Sequence, residues 1–94
     1  MGNVRNEAKL LKIINYFGLR SQLKKFNEEA FEVIDAVLSE DGTEHISEEI
    51  ADCTLLLRQV QAHFGISNEK IEEIVDSKTE RTLRRIEGNI DNKA

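Results

Sequence analysis

The sequence predicts an all-α protein, an antiparallel helical bundle of about four helices that is completed by oligomerisation. Three observations predict this fold. The chain has 94 residues, no proline and 33% charged residues, a composition that favours helices. Four consecutive segments repeat their apolar residues at a helical period. The connections between these segments are short, which favours antiparallel packing of neighbouring helices.

The first two helices are predicted at 4–17 and 20–39. The first has one main apolar stripe, formed by Val4, Ala8, Leu11 and Ile14. Gly18 follows it as a plausible C-terminal stop. The second helix has a comparable stripe, formed by Leu23, Phe26, Ala30, Val33 and Val37. Asp41-Gly42 marks the turn after it, so the second and third helices should form a hairpin.

The third helix is predicted to begin at Thr43 or Ser47, either of which is a suitable N-cap, and to end near 64–65. It has the most regular stripe of the chain, formed by Ile46, Ile50, Cys53, Leu57, Val60 and Phe64. Ser67 is a suitable N-cap for a fourth helix, which should end near Gly88. Residues 1–88 are therefore interpreted as one helical domain, and residues 89–94 as a frayed C-terminal tail.

Composition narrows the classes of function. A chain this short buries about two-thirds of its unfolded surface, and its thin core makes oligomerisation a natural expectation. The formal net charge of −5 argues against binding to nucleic acid or to an anionic membrane. Cys53 is the single cysteine, and no signal-like or membrane-spanning apolar run is present. We therefore expect a soluble, cytoplasmic protein with a reduced thiol.

Two pairs of carboxylates, Glu29/Glu32 and Glu49/Asp52, are the most informative feature of the chain. Each pair has a three-residue spacing, which places both acids on one face of a helix. On helical wheels both pairs lie at the rim of an apolar stripe, where two packed helices would bring four acids together. One such pair alone is usually a solvated surface, but two pairs flanking one hairpin favour a site for a hard divalent ion such as Mg²⁺.

The fourth helix changes character along its length. Its stripe begins with Ile71, Ile74 and Val75 and continues as Lys78, Thr82 and Arg85. These two cations either snorkel at the edge of the bundle or bind phosphate oxygens opposite the acidic cluster. His45 lies within one helical turn of Glu49, and a surface histidine is the simpler interpretation of it.

The two acidic motifs also carry a family resemblance. Glu28-Glu29-x-x-Glu32 followed by Glu49-x-x-Asp52 resembles the EExxE…ExxD signature of the MazG-like all-α nucleoside triphosphate pyrophosphohydrolases. The resemblance extends over roughly 20–88. It implies hydrolysis of nucleoside triphosphates between the α and β phosphates, yielding a monophosphate and pyrophosphate, in nucleotide-pool house-cleaning.

The resemblance also implies roles for individual residues. The ligands of Mg²⁺, or of Mn²⁺ as its substitute, would be Glu29, Glu32, Glu49 and Asp52. Glu28 would assist catalysis together with Glu32. Substrate and phosphate would be bound by Lys78, Thr82 and Arg85, although Thr82 stands where the family usually has asparagine. The implied assembly is a homodimer or homotetramer in which neighbouring subunits help to form the site.

Three alternatives remain open at the level of sequence. A phosphoribosyl-ATP pyrophosphohydrolase would use the same acidic cluster on a different nucleotide. A non-catalytic helical interaction module would leave the acids facing solvent. A carboxylate-bridged di-iron bundle is disfavoured, because such sites pair Glu with Glu-x-x-His and neither motif contains histidine.

Overall fold

The four predicted helices are all present. The computed structural model describes residues 3–93, with side chains at 7–88. Its helices are α1 (Asn3–Phe17), α2 (Leu19–Leu38), α3 (Thr43–His63) and α4 (Asn68–Lys93). Residues 3–93 contain no strand, so the all-α prediction is confirmed. Within the same residues, no helix has both the length and the apolar character needed to cross a bilayer.

Glycines set the two sharpest connections. Gly18 is the only residue between α1 and α2, and its φ of +94° lies in a region that glycine adopts far more readily than other residues. Its N–H donates to the Ile14 carbonyl at 2.7 Å and closes α1. Gly42, with φ +96°, directly precedes α3. The helix therefore starts at Thr43, and the Ser47 hydroxyl donates to the Thr43 carbonyl inside it.

The end of α4 differs from the sequence prediction. The helix continues through Gly88 to Lys93, so the end predicted near Gly88 is wrong. Gly88 is not among the glycines with positive φ, and a glycine inside a helix costs only about 1 kcal/mol relative to alanine. One glycine is therefore too weak a signal to stop a helix. The fraying of 89–94 stays a prediction, because those side chains lie outside the described part.

The packed part of the chain is formed mainly by α1, α2 and α3. Helix α3 packs extensively against α2 and also against α1, whereas α1 and α2 touch much less. The buried apolar core is small and contains Ile14, Ala36, Leu56 and Ala62. The hairpin of α2 and α3 is the pair of helices that brings the two acidic motifs next to each other.

Helix α4 extends away from this packed part. All side chains at 72–88 are exposed, and the longest dimension of the molecule is 55 Å. The radius of gyration is 16.9 Å, compared with about 12 Å for a compact chain of this length. At the corner before α4, Gln61 Nε2 donates to Asn68 Oδ1 at 2.8 Å and ties the start of α4 to α3.

A buried pair of glutamines joins α2 to α3. Gln22 Nε2 donates to Gln59 Oε1 at 2.8 Å, and both side chains are buried. We expect Gln59→Ala to lower the free energy of unfolding by about 2 kcal/mol, because the Gln22 amide loses its partner while staying out of water. Urea unfolding measures this change.

The control for this prediction replaces both glutamines. A Gln22→Met/Gln59→Met variant removes both polar groups and keeps the volume, so it should be close to the wild type in stability. A Gln59→Ala variant with an unchanged unfolding midpoint would show that the pair contributes little.

Candidate metal centre

Three carboxylates from two helices converge at the α2–α3 hairpin. Glu29 lies on α2, and Glu49 and Asp52 lie one turn apart on α3. One oxygen from each of these acids lies within 4.8 Å of the other two. The connection 39–42 is short, so α2 and α3 pack along each other and their acidic motifs meet. The predicted convergence is therefore present for three of the four acids.

The cluster is open on one side. The Glu29 side chain is 18% exposed and the Glu49 side chain is 14% exposed, whereas Asp52 is exposed. Two of the acids thus sit at the seam between the helices, and the third faces solvent. A ligand can approach from the side of Asp52 while the other two carboxylates are held by the packing.

The crowding of these acids changes their protonation. Burial raises the pKa of Glu29 above its ordinary value, and the negative charges of Asp52 and Glu49 and a hydrogen bond with Asp52 raise it further. Lys25 acts in the opposite direction. The pKa of the half-buried Cys53 thiol is raised as well, first by burial and then by Glu29. The site therefore holds negative charge at a cost that a bound cation would relieve.

Two basic side chains border the cluster. Lys25 Nζ lies 3.9 Å from Glu29 Oε1, and His45 Nε2 lies 3.7 Å from Glu49 Oε1. Both are substantially exposed, so water screens these contacts and they stabilise little. His45 is the surface histidine expected from the sequence, and it also reaches the site. Lys25 was not predicted as a site residue, although its four-residue spacing from Glu29 is a recognisable signal.

The donor set fits a hard divalent cation. Mg²⁺ binds oxygen ligands at about 2.1 Å, so oxygens on opposite sides of it are about 4.2 Å apart, and those around Ca²⁺ are up to about 5.2 Å apart. The 4.8 Å limit of the cluster is close to both values. Carboxylates alone, without thiolate or imidazole, are the ligands that Mg²⁺ and Ca²⁺ prefer.

Glu28 and Glu32 lie outside this cluster. Both are exposed residues of α2, and the group of converging acids does not include them. Glu32 is one turn along the helix from Glu29, a spacing that puts their Cβ atoms about 5–6 Å apart. The structure thus gives three converging carboxylates, and the fourth predicted ligand stays a prediction.

The predicted phosphate-binding residues do not meet the acids within one chain. Lys78, Thr82 and Arg85 are exposed on α4, and the Thr82 hydroxyl donates to the Lys78 carbonyl of its own helix at 2.8 Å. Among the described side chains, no ion pair links either cation to the cluster. The helical period correctly places these residues on one side of α4, but it does not determine the direction of that helix.

Comparison of the chain with protein-family models, with curated proteins and with solved structures finds no match. The resemblance to the MazG-like enzymes therefore stays a prediction carried by the two acidic motifs. The convergence of Glu29, Glu49 and Asp52 follows from residue spacing and helix packing, and it holds whichever family the chain belongs to.

Proposed function

We propose that this protein is a Mg²⁺-dependent nucleotide pyrophosphohydrolase that cleaves nucleoside triphosphates between the α and β phosphates. The observation that carries the proposal is the convergence of Glu29, Glu49 and Asp52 within 4.8 Å. Protein-bound Mg²⁺ is commonly held by one or two carboxylates together with substrate phosphates. An open acidic cluster suits that arrangement, because it leaves room for phosphate oxygens on its solvent side.

The acidic residues of the cluster and of the neighbouring α2 surface have different tasks in this proposal. Glu29 and Glu49 hold the ion from the helix seam, and the exposed Asp52 binds on the side that substrate approaches. Glu32 is the fourth carboxylate by resemblance, and Glu28 accepts a proton from the attacking water. When bound, Mg²⁺ (or Mn²⁺) supplies polarisation of a phosphoryl oxygen and activation of water.

Lys78, Thr82 and Arg85 bind the phosphates and sugar in this proposal. The two cations are exposed and have no ion-pair partner among the described residues, so they are available to an anionic substrate. Their place on α4, away from the acidic cluster of the same chain, supports a homodimer or homotetramer in which a neighbouring copy supplies them. Positive charge there would stabilise the leaving pyrophosphate.

The proposal is tested by product analysis with the purified chain. The substrates are canonical and modified dNTPs and NTPs, with phosphoribosyl-ATP included to detect the alternative activity. We expect pyrophosphate and nucleoside monophosphate in equal amounts, no orthophosphate, loss of activity with EDTA, and recovery on adding Mg²⁺ or Mn²⁺. If no member of the panel releases pyrophosphate in the presence of either ion, the enzyme proposal fails and a non-catalytic helical module takes its place.

A further inference from the structure

A cavity of about 340 Å³ lies between α1 and α3, beside the corner that leads into α4. Leu10 and Ile13 line it from α1, and their three-residue spacing puts them on one face of that helix. Leu55 lines it from α3, and residues 66–68 line it from the corner. Small-molecule sites in proteins usually have volumes of about 300–1,000 Å³, so this cavity can hold a ligand of modest size.

Hydrogen bonds hold the corner side of the cavity in place. Gln61, at the end of α3, donates from Nε2 to Asn68 Oδ1 at 2.8 Å, and both residues line the cavity. Ser67 directly precedes α4, and its hydroxyl accepts a hydrogen bond from the Lys70 N–H at 3.1 Å. The corner is thus tied to both α3 and α4, so this wall of the cavity is formed before any ligand binds.

The charges around the cavity favour an anion. Lys9 lines it from α1 and Arg58 from α3, whereas Glu7 is the acidic residue among its described walls. Among the described side chains, no ion pair engages Lys9 or Arg58. Ser67 and Asn68 also line the cavity, so the amino-terminal end of α4 adds its positive partial charge there. This local excess of positive charge contrasts with the net charge of −5 for the whole chain.

The cavity is separate from the acidic cluster. None of the described residues that line it belongs to the cluster or to the proposed phosphate-binding residues of α4. On a helical wheel at about 100° per residue, Arg58 lies about 150° from the direction midway between Glu49 and Asp52. A ligand in the cavity therefore lies on the other side of α3 from the candidate metal centre and does not compete with it.

We propose that this cavity binds a small amphipathic organic anion. The apolar body of the ligand lies against Leu10, Ile13 and Leu55, and its carboxylate or phosphate lies beside Arg58 and Lys9. A guanidinium binds either kind of head group through two parallel N–H···O bonds. A small molecule fits better than a partner helix, because α1, α3 and the corner bound the cavity on three sides. The site does not depend on the proposed pyrophosphohydrolase activity.

Titration of the ¹⁵N-labelled full chain with octanoate, followed by NMR, tests the proposal. EDTA is present throughout, so that a metal ion cannot bridge the carboxylate to the acidic cluster. We expect saturable shifts of the amide signals at 9–13, 55–62 and 66–68, with a Kd below about 1 mM for a ligand of this size. 1-Octanol has the same apolar body without the charge and should bind at least about tenfold more weakly. Octyl phosphate, competing for the same amides, shows which head group the cavity prefers.

A charge-removing variant tests the basic side of the cavity. Arg58→Gln should weaken octanoate binding about tenfold and leave 1-octanol binding unchanged, which also shows that the variant is folded. Arg20→Gln is the matched control, because Arg20 is exposed on α2 and lies outside the cavity. It should bind octanoate as the wild type does. Asp52→Asn should also bind octanoate normally, whatever its effect on pyrophosphate release.

Several results would overturn the proposal. Shifts that do not saturate, that spread over exposed apolar residues outside the cavity, or that centre on the acidic cluster would show that octanoate does not bind in the cavity. Equal affinities for octanoate and 1-octanol, or unchanged octanoate binding by Arg58→Gln, would show that the cavity does not recognise the anion. A chain that releases no pyrophosphate would leave each of these expectations unchanged, so the two proposals fail separately.

Discussion

Asp52→Asn is expected to lower pyrophosphate release at least about a hundredfold while leaving the helices intact. Even residues that only orient a metal ligand contribute about 10- to 100-fold to metal affinity or activity, and Asp52 is proposed as a ligand itself. Its side chain is exposed, so the fold does not depend on its packing. Removing its charge also lowers the pKa of Glu29, because the charge of Asp52 raises that pKa.

A matched control separates this effect from a general loss of negative charge. Asp35→Asn makes the same chemical change at an exposed position of α2, outside the acidic cluster, and should retain activity within about twofold, as expected when no bound group is touched. The activity of Glu32→Gln then tests whether Glu32 is the fourth metal ligand. Full activity in Glu32→Gln would remove Glu32 from the ligand set, and full activity in Asp52→Asn would exclude the cluster as the catalytic site.

Most of the helical framework could be predicted from the sequence. Apolar residues at a helical period placed α1 to α3 within a few residues of their observed bounds, because burial of one helix face is the main force that orders such segments. Gly18 and Gly42 marked the turns because their backbone conformations are ones that other residues rarely adopt. The i to i+3 spacing also predicted that Glu49 and Asp52 share a face, since that relation is fixed by helix geometry.

Other features depend on contacts between distant residues, and periodicity does not encode them. The Gln22–Gln59 pair joins positions 37 residues apart. A glutamine within a helical segment is expected at the surface, so the sequence does not indicate that these two are buried together. The direction of α4 depends on the corner at 64–67 and on the Gln61–Asn68 hydrogen bond. For the same reason, the placement of Lys78 and Arg85 on one side of α4 did not predict their separation from the acids.

The exposure of the two basic side chains beside the acids also matters for the choice between a site and a solvated surface. A purely structural cluster would be stabilised by lysine or arginine packed among the carboxylates, but the Lys25 side chain is 58% exposed and the His45 side chain 47% exposed. Glu29 and Glu49 are nevertheless held mostly out of water. Without a bound cation the cluster therefore destabilises the folded chain, as is common at functional sites. The free energy of unfolding should consequently depend on pH.

Without a divalent cation, the wild type should lose stability relative to Glu29→Gln as the pH rises from 4 to 8. The pKa of Glu29 is raised in the folded state above its ordinary value of 4.5. Its contribution to stability is therefore fully present below pH 4.5 and is lost as the pH rises through the folded pKa. Cys53 does not interfere, since its pKa is raised from 9.0 and the thiol stays neutral in this range. Urea midpoints of both proteins in EDTA measure the difference.

Mg²⁺ should reverse this loss at neutral pH, because an ion bound among the carboxylates stabilises only the folded chain. At a concentration of about 100 times its Kd, a ligand adds about 2.7 kcal/mol to the free energy of unfolding. For a chain of this size that corresponds to a rise of about 10–20 °C in Tm. Glu29→Gln lacks one ligand charge and should gain much less, whereas Asp35→Asn should gain as much as the wild type. Equal shifts in all three proteins would mean that Mg²⁺ acts elsewhere on the acidic surface, and no shift in any of them would mean that the cluster holds no Mg²⁺.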